Sequence, residues 1–149
     1  MTKGETAKNN FKNGYNCAQA VLMAFGDETG LNAETAALIS CGFGGGIGRQ
    51  REVCGAVSGM VLAADLMYGY SDKGSNGKKA AHYELVQKLC AEFKKSNGSF
   101  ICRELLAGVT DSTNPHPEER TSEYYKKRPC ADIVECAANI LEEYKNGHI

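Results

Sequence analysis

The stretch Cys41-Gly-Phe-Gly-Gly-Gly-Ile-Gly48-Arg-Gln-Arg-Glu-Val-Cys54-Gly-Ala-Val-Ser-Gly59 constrains this chain more than any other. Five glycines in the seven positions from Gly42 to Gly48 lower the barrier to positive φ and let the backbone approach a neighbour closely. From Val53 the pattern changes, with Gly55, Gly59 and Ala63 recurring every fourth residue among Val57, Met60, Val61, Leu62 and Leu66. That spacing predicts a helix with one smooth face and one bulky face, and the smooth face admits a second helix or a compact inorganic group near the backbone. Gly44, Gly45, Gly46, Gly55 and Gly59 are therefore candidate cofactor-contact positions. Cys54 falls in the first turn, where free N–H groups and the helix dipole favour a thiolate, and Arg49 and Arg51 reinforce the expectation. Known phosphate cradles do not fit: where a dinucleotide fingerprint needs its third glycine the chain has Ile47 or Arg49, and no Walker loop is present. The plainer alternative is an interhelical loop with a packing cysteine.

Length and charge narrow the function classes. A chain of 149 residues is the size of one domain, so residues 1–149 are expected to form a single unit with its own core. Seventeen basic against eighteen acidic side chains leave a net charge of -1, which offers no electrostatic attraction for nucleic acid or an anionic membrane. The first ten residues lack the apolar run of a secretory signal, and no segment approaches eighteen consecutive apolar residues. The expectation is a soluble, cytoplasmic protein. Seven cysteines in a reducing compartment point to metal binding or thiol chemistry rather than to a static disulfide framework.

Apolar periodicity predicts an all-α bundle of about five helices. The first runs from about Lys3 to Phe25, with Gly14 tolerated inside it and Cys17 near its middle, facing the core. Asn32 caps a second over Ala33 to Cys41, and the glycine-rich loop and the Cys54 helix follow, ending near Tyr68-Gly69. A fourth spans Lys78 to Lys95, with His82, Leu85, Val86, Leu89 and Phe93 on one stripe and Cys90 at its edge. Ser99 can cap a short segment over Phe100 to Leu106, placing Cys102 in a first turn. Gly108 to Lys127 is polar and proline-broken and reads as a surface excursion before the last helix, where Pro129 suits the first position and Cys130 again sits in a first turn.

Cys54, Cys102 and Cys130 thus head predicted helices and Cys17 points inward, whereas Cys41, Cys90 and Cys136 read as ordinary core or near-core positions. Gaps of tens of residues mean that any site is assembled only by folding. In Asn16-Cys17-Ala18-Gln19, Gly42 to Gly48, Cys54-Gly-Ala-Val-Ser-Gly59, Cys102-Arg-Glu-Leu-Leu106 and Cys130, the chain resembles the bacterial C_GCAxxG_C_C family of suspected redox-active proteins. The resemblance spans nearly the whole sequence and implies a helical domain with four hallmark cysteines, related to a domain of split-Soret cytochromes. No C-x-x-C-H is present, so haem is not expected, and His116 and His148 read as solvated. Three functions compete. In the first, Cys17, Cys54, Cys102 and Cys130 ligate an iron–sulfur cluster or another metal for electron transfer or redox sensing. In the second, the same cysteines perform thiol–disulfide chemistry led by a Cys54 thiolate. In the third, the chain is a helical interaction module. The first two need a redox partner protein of unknown identity, and the sequence leaves a homodimer open.

Overall fold

The computed structural model describes residues 1–149 and is all-α, with six helices of eight residues or more joined by single turns. In chain order the elements are α1 (Lys3–Lys12), α2 (Cys17–Ala24), α3 (Gly26–Thr29), α4 (Ala33–Ser40), α5 (Gly44–Ile47), α6 (Gly55–Tyr68), α7 (Asn76–Asn97), α8 (Cys102–Leu105), α9 (Ser122–Lys127) and α10 (Cys130–Lys145). A 3-10 turn over Cys41–Phe43 precedes α5. The nearest approach to a strand is one antiparallel bridge between Val53 and Ile101. No helix is long and apolar enough to cross a membrane.

The single helix expected over Lys3–Phe25 is broken in two. Gly14 takes φ 110°, outside the helical region, and Asn16 starts the chain again with a capping box. Its side chain accepts from the Gln19 N–H at 2.9 Å while Gln19 accepts from the Asn16 N–H at 3.0 Å. Local side-chain bonds of this kind compete with helix continuation, and here they win. Cys17 consequently stands at the first helical position of α2, not in mid-helix.

The smooth face of α6 packs on α2. A Cβ on Gly59 would lie 2.6 Å from the Ala18 carbonyl oxygen, and one on Gly55 would lie 2.9 Å from the Phe43 oxygen and 3.1 Å from the Cys17 Cβ. Close approach of the two helices therefore requires glycine at both positions. One apolar cluster of 22 residues joins α1, α2, α4, α6, α7 and α10, with Phe11, Phe25 and Phe93 among its largest buried side chains. Burial of each such side chain stabilises the fold by roughly 1.5–3 kcal/mol.

The glycine-rich stretch forms an ordered left-handed turn. Gly45, Gly46, Ile47, Gly48 and Arg49 all have positive φ, between 58° and 74°, and Arg51 follows at 63°. Glycine adopts this region freely, whereas each of Ile47, Arg49 and Arg51 costs about 1–2 kcal/mol there. Backbone bonds from Arg51 to Gly45 and from Glu52 to Gly46 hold the turn. A Cβ on Gly46 would meet the Glu52 nitrogen at 2.6 Å and the Cys102 Cβ at 2.8 Å, so side-chain space is absent there as well.

Candidate functional site

Four separate helix starts face one cavity. Cys17 is the first residue of α2, Cys54 the N-cap of α6, Cys102 the first residue of α8 and Cys130 the first residue of α10. All four line a cavity of about 520 Å³, within the range of small-molecule sites. The rigid elements come together by different means. Gly55 seats Cys17 against the head of α6, and the Cys54 N–H donates to the Phe100 oxygen at 2.9 Å. The bridge at Val53 and Ile101 then delivers Cys102 beside the glycine turn.

Similar positions acquire different chemistry. Cys54 is only 6% exposed, and burial pushes its thiol up to about 12 although the Ala56 and Val57 N–H groups at the head of α6 oppose the rise. The expectation of a Cys54 thiolate is thereby corrected: withdrawal from water outweighs the helix terminus. Cys17 and Cys130 are neighbours on the cavity wall, and their interaction raises Cys17 well above the ordinary thiol value and lowers Cys130. Burial adds to the rise at Cys17, while Arg128, Arg51 and Arg120 assist the lowering at Cys130. Within the pair the thiolate is therefore favoured at Cys130 over Cys17, because nearby positive charge favours the charged form.

A ring of arginines surrounds the sulfurs. Arg51 is 3% exposed; its Nε donates to the Ser112 oxygen at 2.9 Å and its Nη1 lies 3.7 Å from the Cys102 sulfur. Arg49 donates through Nε to the Asn114 oxygen at 2.6 Å. Arg128 pairs with Glu118 and stacks over Tyr124 with its guanidinium carbon 4.6 Å from the ring centre. Arg120 donates to the carbonyls of Phe11 and Tyr15. The proline-broken excursion expected to be a surface loop thus closes one side of the cavity, with Pro115, Pro117, Glu118, Arg120 and Tyr124 on its wall. Sequence reasoning missed Glu118, Arg120 and Arg128. Their faint signal was the alternation of charge with Tyr124 and Tyr125 in an otherwise unpatterned run.

The glycines divide by role. Gly44, Gly45, Gly46 and Gly55 line the cavity, but Gly59 does not; as a cofactor-contact position it is corrected to a helix-packing position against Ala18. Cys41, read as near-core, is exposed and sits on the cavity's edge, with its carbonyl accepting from Asn16 Nδ2 at 3.0 Å. Cys90 and Cys136 are half-buried and lie off the cavity. His116 and His148 are exposed, and His82 pairs with Asp65 at 2.6 Å on another face. The four thiols are soft donors of the right chemistry for iron or zinc, but no three Cys, His, Asp or Glu side chains are disposed to share one metal ion.

The chain is thus a helical domain with four cysteines at helix starts round a basic cavity. A family model described as "Putative redox-active protein (C_GCAxxG_C_C)" matches residues 15–144, and the chain belongs to that family. No curated protein and no solved structure matches the chain.

Proposed function

We propose that the protein is a thiol–disulfide redox protein in which Cys130 attacks and Cys17 resolves. The observation that carries the reading is that Cys17 and Cys130, 113 positions apart in the chain, stand on the wall of one cavity large enough for a small disulfide, where each shifts the ionisation of the other in the opposite direction. The Cys130 thiolate attacks one sulfur of the substrate disulfide, forming a mixed disulfide and releasing the first substrate thiolate, which takes the Cys17 proton. Cys17 then attacks the Cys130 sulfur. The Cys17–Cys130 disulfide forms and the second substrate thiolate leaves, so two electrons pass from the protein to the substrate. A reducing partner reverses the sequence. Cys54 and Cys102 are the flanking thiols, with Arg128, Arg51 and Arg120 stabilising the Cys130 charge.

The iron–sulfur reading draws support from four soft donors on one cavity, since the thiolates of a cluster bind separate irons; their disposition speaks only against a single zinc or iron ion, and the interacting Cys17 and Cys130 pair favours the thiol reading. Mild oxidation of the metal-free protein followed by peptide mapping tests it. A reversible Cys17–Cys130 disulfide is the expected product. Iron with visible absorbance in anaerobically purified protein, and all four cysteines shielded from alkylation until a chelator is added, would replace the proposal with the cluster.

A further inference from the structure

Arg51 carries an unanswered donor. Its Nη2 is buried and has no hydrogen-bond partner, while Nε is satisfied by Ser112 and Nη1 has only the 3.7 Å contact to Cys102. A buried guanidinium cannot shed its charge, and leaving one of its N–H groups unpaired costs more than a neutral orphan does. The wider cavity has the same imbalance. Arg49, Arg51, Arg120 and Arg128 line it against one carboxylate, Glu118, and Glu118 is paired with Arg128. Arg120 and Arg49 are spent on carbonyl groups of the surrounding backbone. Arg51, nine-tenths buried and more, is the one of the four whose unpartnered N–H group is also withdrawn from solvent.

From this we infer that the Nη1/Nη2 edge of Arg51 is a subsite for a carboxylate, and that the substrate is a low-molecular-weight disulfide bearing carboxylate groups. Guanidinium presents two parallel donors to a carboxylate, and such charge-assisted pairs are about twice as strong as neutral hydrogen bonds. Because Nη1 already touches the Cys102 sulfur, a carboxylate on this edge lies beside the thiols, and the rest of the molecule has the cavity for its chain and its sulfurs. The inference rests on the thiol–disulfide reading only for the word disulfide. The anion subsite stands on Arg51 itself.

The test compares two disulfides of similar size, 3,3′-dithiodipropionate, which carries two carboxylates, and the neutral 2-hydroxyethyl disulfide. Oxidation of the cysteine pair in the full chain should be about tenfold faster with the anionic compound at sub-saturating concentration, the ratio that one charge-assisted pair of about 1.4 kcal/mol supplies. Arg51→Gln should bring the ratio toward one, and the ratio is the readout because Arg51 also acts on Cys130. Should that variant fail to fold, a wild-type measurement replaces it: suberate, which has two carboxylates and no sulfur, should bind by calorimetry and compete with dithiodipropionate. Equal rates with the two disulfides and no suberate binding would overturn the subsite. Suberate binding without oxidation by either disulfide would keep the subsite and overturn both the thiol–disulfide reading and the disulfide substrate.

Discussion

The heads of α6 and α10 are alike in the chain and opposite in chemistry. Cys54 and Cys130 each begin a long helix, of 14 and 16 residues, and each faces the same cavity. At α6 burial moves the thiol up to about 12 despite two N–H donors, and the neighbouring Cys130 and Cys102 push the same way. At α10 the neighbouring Cys17 and the charges of Arg128, Arg51 and Arg120 move the thiol down, so the thiolate is favoured. A helix terminus supplies partial charge worth some tenths of a kcal/mol to about 2 kcal/mol, whereas desolvation of a buried thiolate and full charges act more strongly. Side chains from elsewhere in the fold, and not position on a helix, decide which cysteine is reactive.

The contrast is sharpest in alkylation. At neutral pH Cys130, lowered from the ordinary thiol range, has a far larger thiolate fraction than Cys54, which is pushed up to about 12, and the lower intrinsic nucleophilicity of the more acidic thiol returns part of that. Cys130 should be alkylated tens of times faster than Cys54, read by timed labelling and peptide mapping. Equal rates would dissolve the distinction between the two helix heads.

Gly55→Leu attacks the α6 side of the comparison. Its first side-chain atom would meet the Phe43 oxygen at 2.9 Å, and overpacking of this kind typically costs about 1–3 kcal/mol. The melting temperature should fall, and Cys54 should become more reactive as α2 and α6 separate. An unchanged melting temperature would mean that the two helices do not need glycine at their contact.

Alkaline pH separates the two thiols in stability. An unfolded thiol ionises near pH 8.5, about where the native Cys54 is still protonated, so the native state binds more protons than the unfolded chain between about 8.5 and 12. Stability should fall as pH rises through that window, by up to about 1.4 kcal/mol per pH unit from this group. The raised Cys17 thiol acts in the same direction, and Cys130, being lowered, acts oppositely below 8.5. Cys54→Ala should flatten the alkaline limb in denaturant titrations at stepped pH. A limb of the same slope would assign the effect elsewhere.

The smallest effect is expected of Arg128→Gln. Loss of one of the charges favouring the Cys130 thiolate should slow Cys130 labelling a few-fold and leave Cys54 as it was. A change at Cys54 of the same size would point to a general loosening of the cavity instead.

Much of the helical architecture was legible because it is local. The three-and-four spacing marked α4, α6, α7 and α10 to within a few residues, and the small face of Gly55 and Gly59 announced a close helix contact. The break at Gly14 was open to the same kind of reading, since Asn16 and Gln19 form a capping pair three residues apart, but the apolar periodicity across it masked the signal. The left-handed turn at residues 45–49 was foreshadowed by its glycines, while positive φ at Ile47, Arg49 and Arg51 was not, because only the surrounding bonds hold those residues there.

By itself the sequence determined the fold class, the positions of three helix-heading cysteines and the need for glycine at Gly55, each a property of neighbours in the chain. Tertiary structure alone decided the rest: that ionisation is favoured at Cys130 and opposed at Cys54, that Cys17 is the neighbour interacting with Cys130, and that the unpatterned run through Arg120 to Arg128 walls the cavity. The physical reason is range. Hydrogen-bonded turns and apolar periodicity are set within a few residues, whereas desolvation and Coulomb interaction depend on distance in space, and residues such as Arg51 and Cys130 become neighbours only when the chain has folded.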